Sequence, residues 1–142
     1  MKYKINNDRL FISLQTGDEL ITSITDVLIK EKINSGIING IGAINKVELG
    51  FYNLELKEYN KKLFSKDYEL TSLMGNITLK DDNPFIHVHI NISDDNFNVF
   101  GGHLFSAFTA ASAEIIILLN DENIRRELDK DVGLSLWEFS CE

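Results

Sequence analysis

Phe85-Ile86-His87-Val88-His89-Ile90-Asn91-Ile92 alternates residue by residue, and the turn-forming Ser93-Asp94-Asp95-Asn96 and a further β-type run, Asn98–Leu104, follow it. Period-two alternation marks a strand with one buried face. Ile86, Val88, Ile90 and Ile92 take one side, and His87 and His89 share the other, because residues two apart project to the same face. A turn centred at Asp95 makes the two runs an antiparallel hairpin, with position 87 opposite 103 and position 89 opposite 101. Opposed residues share a face with Cβ atoms roughly 4.5–5.5 Å apart. His103 therefore joins His87 and His89, which gathers every histidine of the chain on one surface. Gly101 and Gly102 leave room beside them.

Working outward, the same alternation predicts strands over Gly36–Gly42, Lys46–Leu56, Tyr68–Lys80, Ser112–Leu119 and Leu134–Phe139. Lys80-Asp81-Asp82-Asn83 signals a second hairpin turn. Phe105–Ala110 reads as a short irregular crossing with no fixed state. At the beginning, Tyr3–Asn6 and Leu10–Leu14 are two strands joined at Asn7-Asp8. One helix stands out: Thr16-Gly17-Asp18-Glu19 has capping-box spacing, and Leu20, Ile21, Ile24, Val27 and Leu28 form a single apolar stripe. Lys30 and Lys32 suit its C-terminal dipole, and Asn34–Gly36 supply a stop. Many strands beside one strong helix give an α+β fold, a mostly antiparallel sheet with one main packed helix. No linker or low-complexity tract interrupts residues 1–142, so a single domain is expected.

The formal charge of −8 opposes a surface attractive to nucleic acid throughout. Lys57, Lys61, Lys62 and Lys66 come nearest to a basic patch, but Glu55, Glu58 and Asp67 interleave with them, as on a solvated strand face. The first residues show neither an apolar h-region nor a cleavage site, and the lone Cys141 has no disulfide or zinc-ribbon companion. The expectation is a cytoplasmic protein without a membrane span.

Spacing alone leaves two readings of the histidines. Three imidazoles on one face suit zinc, which takes three protein ligands and keeps an open position. Alternatively they are ordinary strand residues, one of them bonding a carbonyl, and a Gly-Gly bulge shifts the register. Asp94 or Asp95 could assist a metal, although turn chemistry explains both. Glu114, beside Ile115-Ile116-Ile117, either faces solvent or sits near the site, and solvent is the favoured reading. Gly36, Gly40 and Gly42 match no phosphate-binding spacing, and Ser106, Thr109 and Ser112 lack a nucleophile-elbow context.

From about Tyr3 to Phe139 the chain resembles the PPC (plant and prokaryote conserved) domain in its stand-alone prokaryotic form. The residues that carry the resemblance are Gly40-Ile41-Gly42-Ala43, Leu49-Gly50-Phe51-Tyr52, Tyr68-Glu69-Leu70 with Ser72-Leu73-Met74-Gly75-Asn76-Ile77, Pro84-Phe85-Ile86-His87-Val88-His89, and Gly101-Gly102-His103-Leu104. The resemblance implies a mostly antiparallel sheet with a packed helix, assembled as a homotrimer. It also implies a bound metal, typically zinc, at the HxH and GGH histidines, which here are His87, His89 and His103. Plant relatives join this domain to AT-hook segments, and prokaryotic members are often called DNA-binding by that analogy. This chain has no Arg-Gly-Arg-Pro hook and no basic arm, and three copies carry −24 (three times −8), which opposes direct contact with DNA at long range.

Two functions follow as expectations. The first is a homotrimeric zinc-binding protein of this regulatory, DNA-binding-named family, acting through protein association or sensing of a small ligand. The alternative is a zinc-dependent hydrolase or lyase on a small metabolite, for which Glu114 is the one candidate general base.

Overall fold

The computed structural model describes residues 1–139, and Cys141 lies outside the described residues. In chain order the elements are β1 (Lys2–Asn6), β2 (Arg9–Gln15), α1 (Leu20–Glu31), β3 (Gly36–Asn53), β4 (Glu58–Lys80), β5 (Asn83–Ser93), β6 (Val99–Leu119), β7 (Arg125–Asp129) and β8 (Leu134–Glu138). Pairing is antiparallel throughout, except where Leu79 of β4 meets Arg125 of β7. β3 pairs with both β4 and β6, and β5 pairs with the same two strands. The four long strands thus close into a ring, β1 and β2 extend it beside β6, and the β7–β8 hairpin joins it at β4. No helix among the described residues is long and apolar enough to cross a membrane.

The core lies between helix and sheet. Leu20, Ile24, Val27 and Leu28 of α1 are buried with Leu10, Ile38, Leu73, Ile90 and Ile117 from five strands, and α1 packs mainly on β5 and β6. Val88, Ile90 and Ile92 are buried as their alternation predicts, so the histidine side of β5 points away from the helix.

Three details differ from the sequence reading. Thr16 does not cap the helix. Its hydroxyl donates to the Ala111 carbonyl, and Glu19 is the N-cap, accepting from Thr22 N at 2.6 Å through one oxygen and from Ala107 N at 3.2 Å through the other. One carboxylate therefore satisfies an orphan helix donor and ties the helix start to β6. The helix then stops at Lys32, left-handed at φ 56°, two residues before the expected stop.

The strands are also longer than expected. Gly36–Gly42 and the expected Lys46–Leu56 run as far as Asn53 belong to one strand, β3, and Leu54–Leu56 fall in the turn that follows. The strand shifts register at Gly40/Gly42 and Asn45/Val47. Lys46 has φ 48° at the second of these, so a bulge absorbs the break in alternation without ending the strand. Phe105–Ala110 is likewise the interior of β6, which shifts register against β3 there. Finally, Arg125–Asp129 is a strand that the alternation did not mark.

The β5–β6 hairpin also departs from the expected register. Ser93 pairs with Val99 and His89 with His103, two residues away from the expected register. The Asp94 carboxylate accepts from the backbone N of Asn96 and of Asn98 and from Asn98 Nδ2, and Phe97 turns to φ 63°. This network makes a longer loop than a tight turn at Asp95. Because the shift is even, every side chain keeps its face.

Candidate metal centre

β5 and β6 bring the three histidines together. His87 and His89 project from one face of β5, and His103 stands directly across from His89. Ring centroids lie 5.2 Å apart for His87–His89, 5.2 Å for His87–His103 and 5.4 Å for His89–His103. One nitrogen from each falls within 4.8 Å of the others. Nitrogens sharing a tetrahedral zinc sit roughly 3.3 Å apart, so closing on an ion asks for a contraction of at most about 1.5 Å.

The surroundings fit such an ion. His103 Nδ1 is buried without a hydrogen-bond partner among the described residues, and a buried polar atom left orphaned points to something the protein alone does not supply. Tyr59 and Phe105 pack on His103, with centroids at 5.1 and 4.9 Å. Burial, before any charge effect, pushes the pKa of His87 and of His103 down to about 4. Arg126 and His89 add to the fall at His87, and the other histidines add to it at His103. Both rings are thus neutral at pH 7, the state in which imidazole donates a lone pair to a metal.

These depressed values carry a prediction for the metal-free protein. Between pH 6.5 and about 4 the unfolded chain binds protons at these histidines that the folded chain refuses. Their contribution to stability is complete above pH 6.5 and fades as the pH falls toward 4. The urea midpoint is therefore expected to drop between pH 7.5 and 4.5, and to drop less in a His87→Asn, His103→Asn chain. Equal drops in the two proteins would refute the assignment.

The carboxylates considered from sequence do not join this cluster. Asp94 is occupied within its own loop. Glu114 is exposed, as expected, opposite Ser13 on β2 and Ile41 on β3. Gly101 and Gly102 face Asn91 and Ile90 rather than the histidines. A Cβ at Gly101 would come within 2.5 Å of Asn91 Oδ1, so that glycine clears Asn91. Two lysines of the basic patch are engaged locally. Lys61 bridges to Glu48 at 3.1 Å and lies 3.6 Å over the Phe105 ring, and Lys57 donates to the Lys130 carbonyl.

What the sequence reading missed is Arg126. β7 carries its guanidinium under β4, where Nε donates to Thr78 Oγ1 at 2.8 Å, one terminal nitrogen to the Ser135 carbonyl at 2.9 Å, and the other to Asn76 Oδ1 at 2.9 Å and His87 Nδ1 at 3.2 Å. Nothing in the local pattern Arg125-Arg126-Glu127-Leu128-Asp129 distinguishes it from a solvated strand. Only the parallel contact between β4 and β7 places it at the histidines.

A closed antiparallel sheet with one packed helix and a three-imidazole cluster defines a small β-rich domain with a candidate metal centre. Residues 1–120 match the Plants and Prokaryotes Conserved (PCC) domain, and the chain belongs to that family. A plant- and prokaryote-conserved protein from Pyrococcus horikoshii has 35% identity over 99% of this chain and 97% of its own, with a TM-score of 0.87. A metal-containing protein from Archaeoglobus fulgidus has 34% identity over 97% of each chain, with a TM-score of 0.86. A candidate DNA-binding protein from Bacteroides thetaiotaomicron has 30% identity over 97% of this chain and 96% of its own, with a TM-score of 0.94. A search of curated proteins finds no match.

Proposed function

We propose that this protein is a zinc-binding PCC-domain protein that assembles as a homotrimer and acts through association or recognition of a small ligand. The observation that carries the metal is the three-imidazole face with its orphaned His103 Nδ1. The A. fulgidus relative, described as metal-containing, supports it. When bound, zinc supplies a Lewis-acid centre with an open coordination position. The chain's own part is to hold neutral imidazoles on a rigid hairpin beside aromatic walls.

Assembly is supported by a row of opposed residues running across neighbouring strands: Phe11, Ile116, Asn39 and Met74. Met74 is 63% exposed, and Ile37 and Ile41 beside the row are each 57% exposed. Apolar side chains grouped so openly on one sheet face mark an association surface. Direct contact with duplex DNA is disfavoured by the charge of −8 and by the engagement of Lys57 and Lys61 with protein groups.

A second reading, a zinc-dependent hydrolase or lyase, is favoured by a cavity of about 320 Å³ beside His87 and His103. No carboxylate lines it among the described residues, so this reading lacks a general base.

The test is the mass in solution and elemental analysis of protein made without a histidine tag, with the His87→Ala, His103→Ala chain alongside. Near one zinc per chain in a particle of three chains, with the zinc lost from the variant, is the expected result. A protein that stays metal-free after zinc reloading would make the histidines structural.

A further inference from the structure

We propose that Arg126 and Lys80 make the cavity beside the histidines a receptor for a small organic carboxylate with an apolar body, and that zinc releases Arg126 to bind it. The proposal rests on the metal reading above and names the ligand class of the same site.

Three observations point to an anion. First, acidic residues outnumber basic ones 22 to 14 in this chain, yet this cavity is lined by Arg126 and Lys80 and by no Asp or Glu among the described residues. Second, the half-buried Arg126 forms no ion pair among the described residues. Its partners are a hydroxyl, an amide oxygen, a carbonyl and an imidazole, all neutral. A guanidinium withdrawn from water ordinarily meets a carboxylate or phosphate. Third, the remaining walls include Tyr59, Phe85, Phe105 and Leu136, which suit the apolar body of a ligand more than a bare inorganic ion.

The link to the metal follows from counting lone pairs. Arginine only donates, so His87 Nδ1 accepts from it, and a neutral imidazole has one ring lone pair to give. Arg126 and a metal ion therefore compete for the same pair, whichever nitrogen the ion takes. An ion at the cluster displaces the guanidinium from His87 and leaves an N–H of Arg126 without a partner at the cavity wall. A ligand carboxylate is the acceptor that N–H then finds. Metal and anion accordingly strengthen each other's binding, and the coupling is reciprocal.

Benzoate and its neutral isostere benzamide are suitable probes, titrated calorimetrically into zinc-loaded and zinc-free protein. Zinc-loaded protein is expected to bind benzoate at least about tenfold more tightly than benzamide, in line with a charge-assisted hydrogen bond. Zinc removal should weaken benzoate more than benzamide. Arg126→Gln should cut the preference severalfold while zinc is still taken up, and Lys80→Gln, which touches none of the bonds that hold β7, should also reduce it even if the first variant fails to fold. Equal binding of the two probes to zinc-loaded protein, or a preference undiminished by Arg126→Gln, overturns the proposal. A wild-type chain that takes up no zinc refutes the metal reading and the release of Arg126 with it. The benzoate–benzamide pair on that metal-free chain then decides the anion receptor on its own, present if benzoate wins and absent if the two tie.

Discussion

A His89→Ala chain is expected to bind zinc at least about a hundredfold more weakly than its parent while folding almost as stably. Three ligands are the usual minimum for a zinc that keeps one open position, and even outer partners of such ligands are worth ten- to a hundredfold in affinity. The stability side follows from placement. His89 is exposed, on the face of β5 opposite the buried Val88 and Ile90, and no hydrogen bond of its ring is seen among the described residues. Its loss uncovers no core atom and strands no polar group, so the change in stability stays within about 0.5 kcal/mol. His87→Ala would be a poorer probe, because it also removes an acceptor from Arg126. Competition for zinc against a chromophoric chelator, with urea unfolding of the metal-free proteins, reads both quantities. An unchanged zinc affinity sinks the three-histidine assignment. A large loss of stability would instead make His89 a structural residue.

The histidine face was legible in the sequence for a reason that also explains the register error. Face depends only on whether a residue's position is odd or even along the strand, and His87, His89 and His103 agree in that respect. The loop that Asp94 organises is longer than a tight turn, but an error of two residues leaves the parity intact. An error of one would have put His103 on the opposite face from His87 and His89. Helix α1 was equally legible, since its apolar stripe is local. Its cap was not, because Glu19 is fixed as much by Ala107 of β6 as by the helix itself. The unbroken course of β3 and β6 was hidden by bulges, which disturb alternation as a loop does while the pairing continues. Arg126 was out of reach altogether. Its role comes from a parallel contact with β4, far away in sequence, and no periodicity encodes that.

Gly75 joins fold and site more tightly than any histidine does. It lies in β4 between Ile38 of β3 and Val88 of β5, so both neighbouring strands crowd it. A Cβ there would stand 2.0 Å from the His87 carbonyl oxygen and 2.8 Å from Val88 Cα. These are backbone atoms, which no rotamer change can move aside. Two effects oppose each other in Gly75→Ala. Replacing glycine in a strand recovers about 0.5–1 kcal/mol of chain entropy, whereas overpacking a fixed interior costs about 1–3 kcal/mol and more when backbone must shift. The clash wins, and a net loss of about 2 kcal/mol is expected from urea unfolding. Because the strand forced outward is the one that carries His87 and His89, zinc affinity should fall with it, although no ligand has been touched. Gly17→Ala is the control. Nothing lies within 4 Å of its Cβ position, its φ is +89°, and it stands before the helix rather than at the histidines. It should cost about 1 kcal/mol through backbone strain alone and leave zinc binding unchanged. A Gly75→Ala chain as stable as its parent would mean that β4 and β5 separate without penalty. The imidazoles would then owe their positions to the β5–β6 hairpin alone, not to the ring of strands.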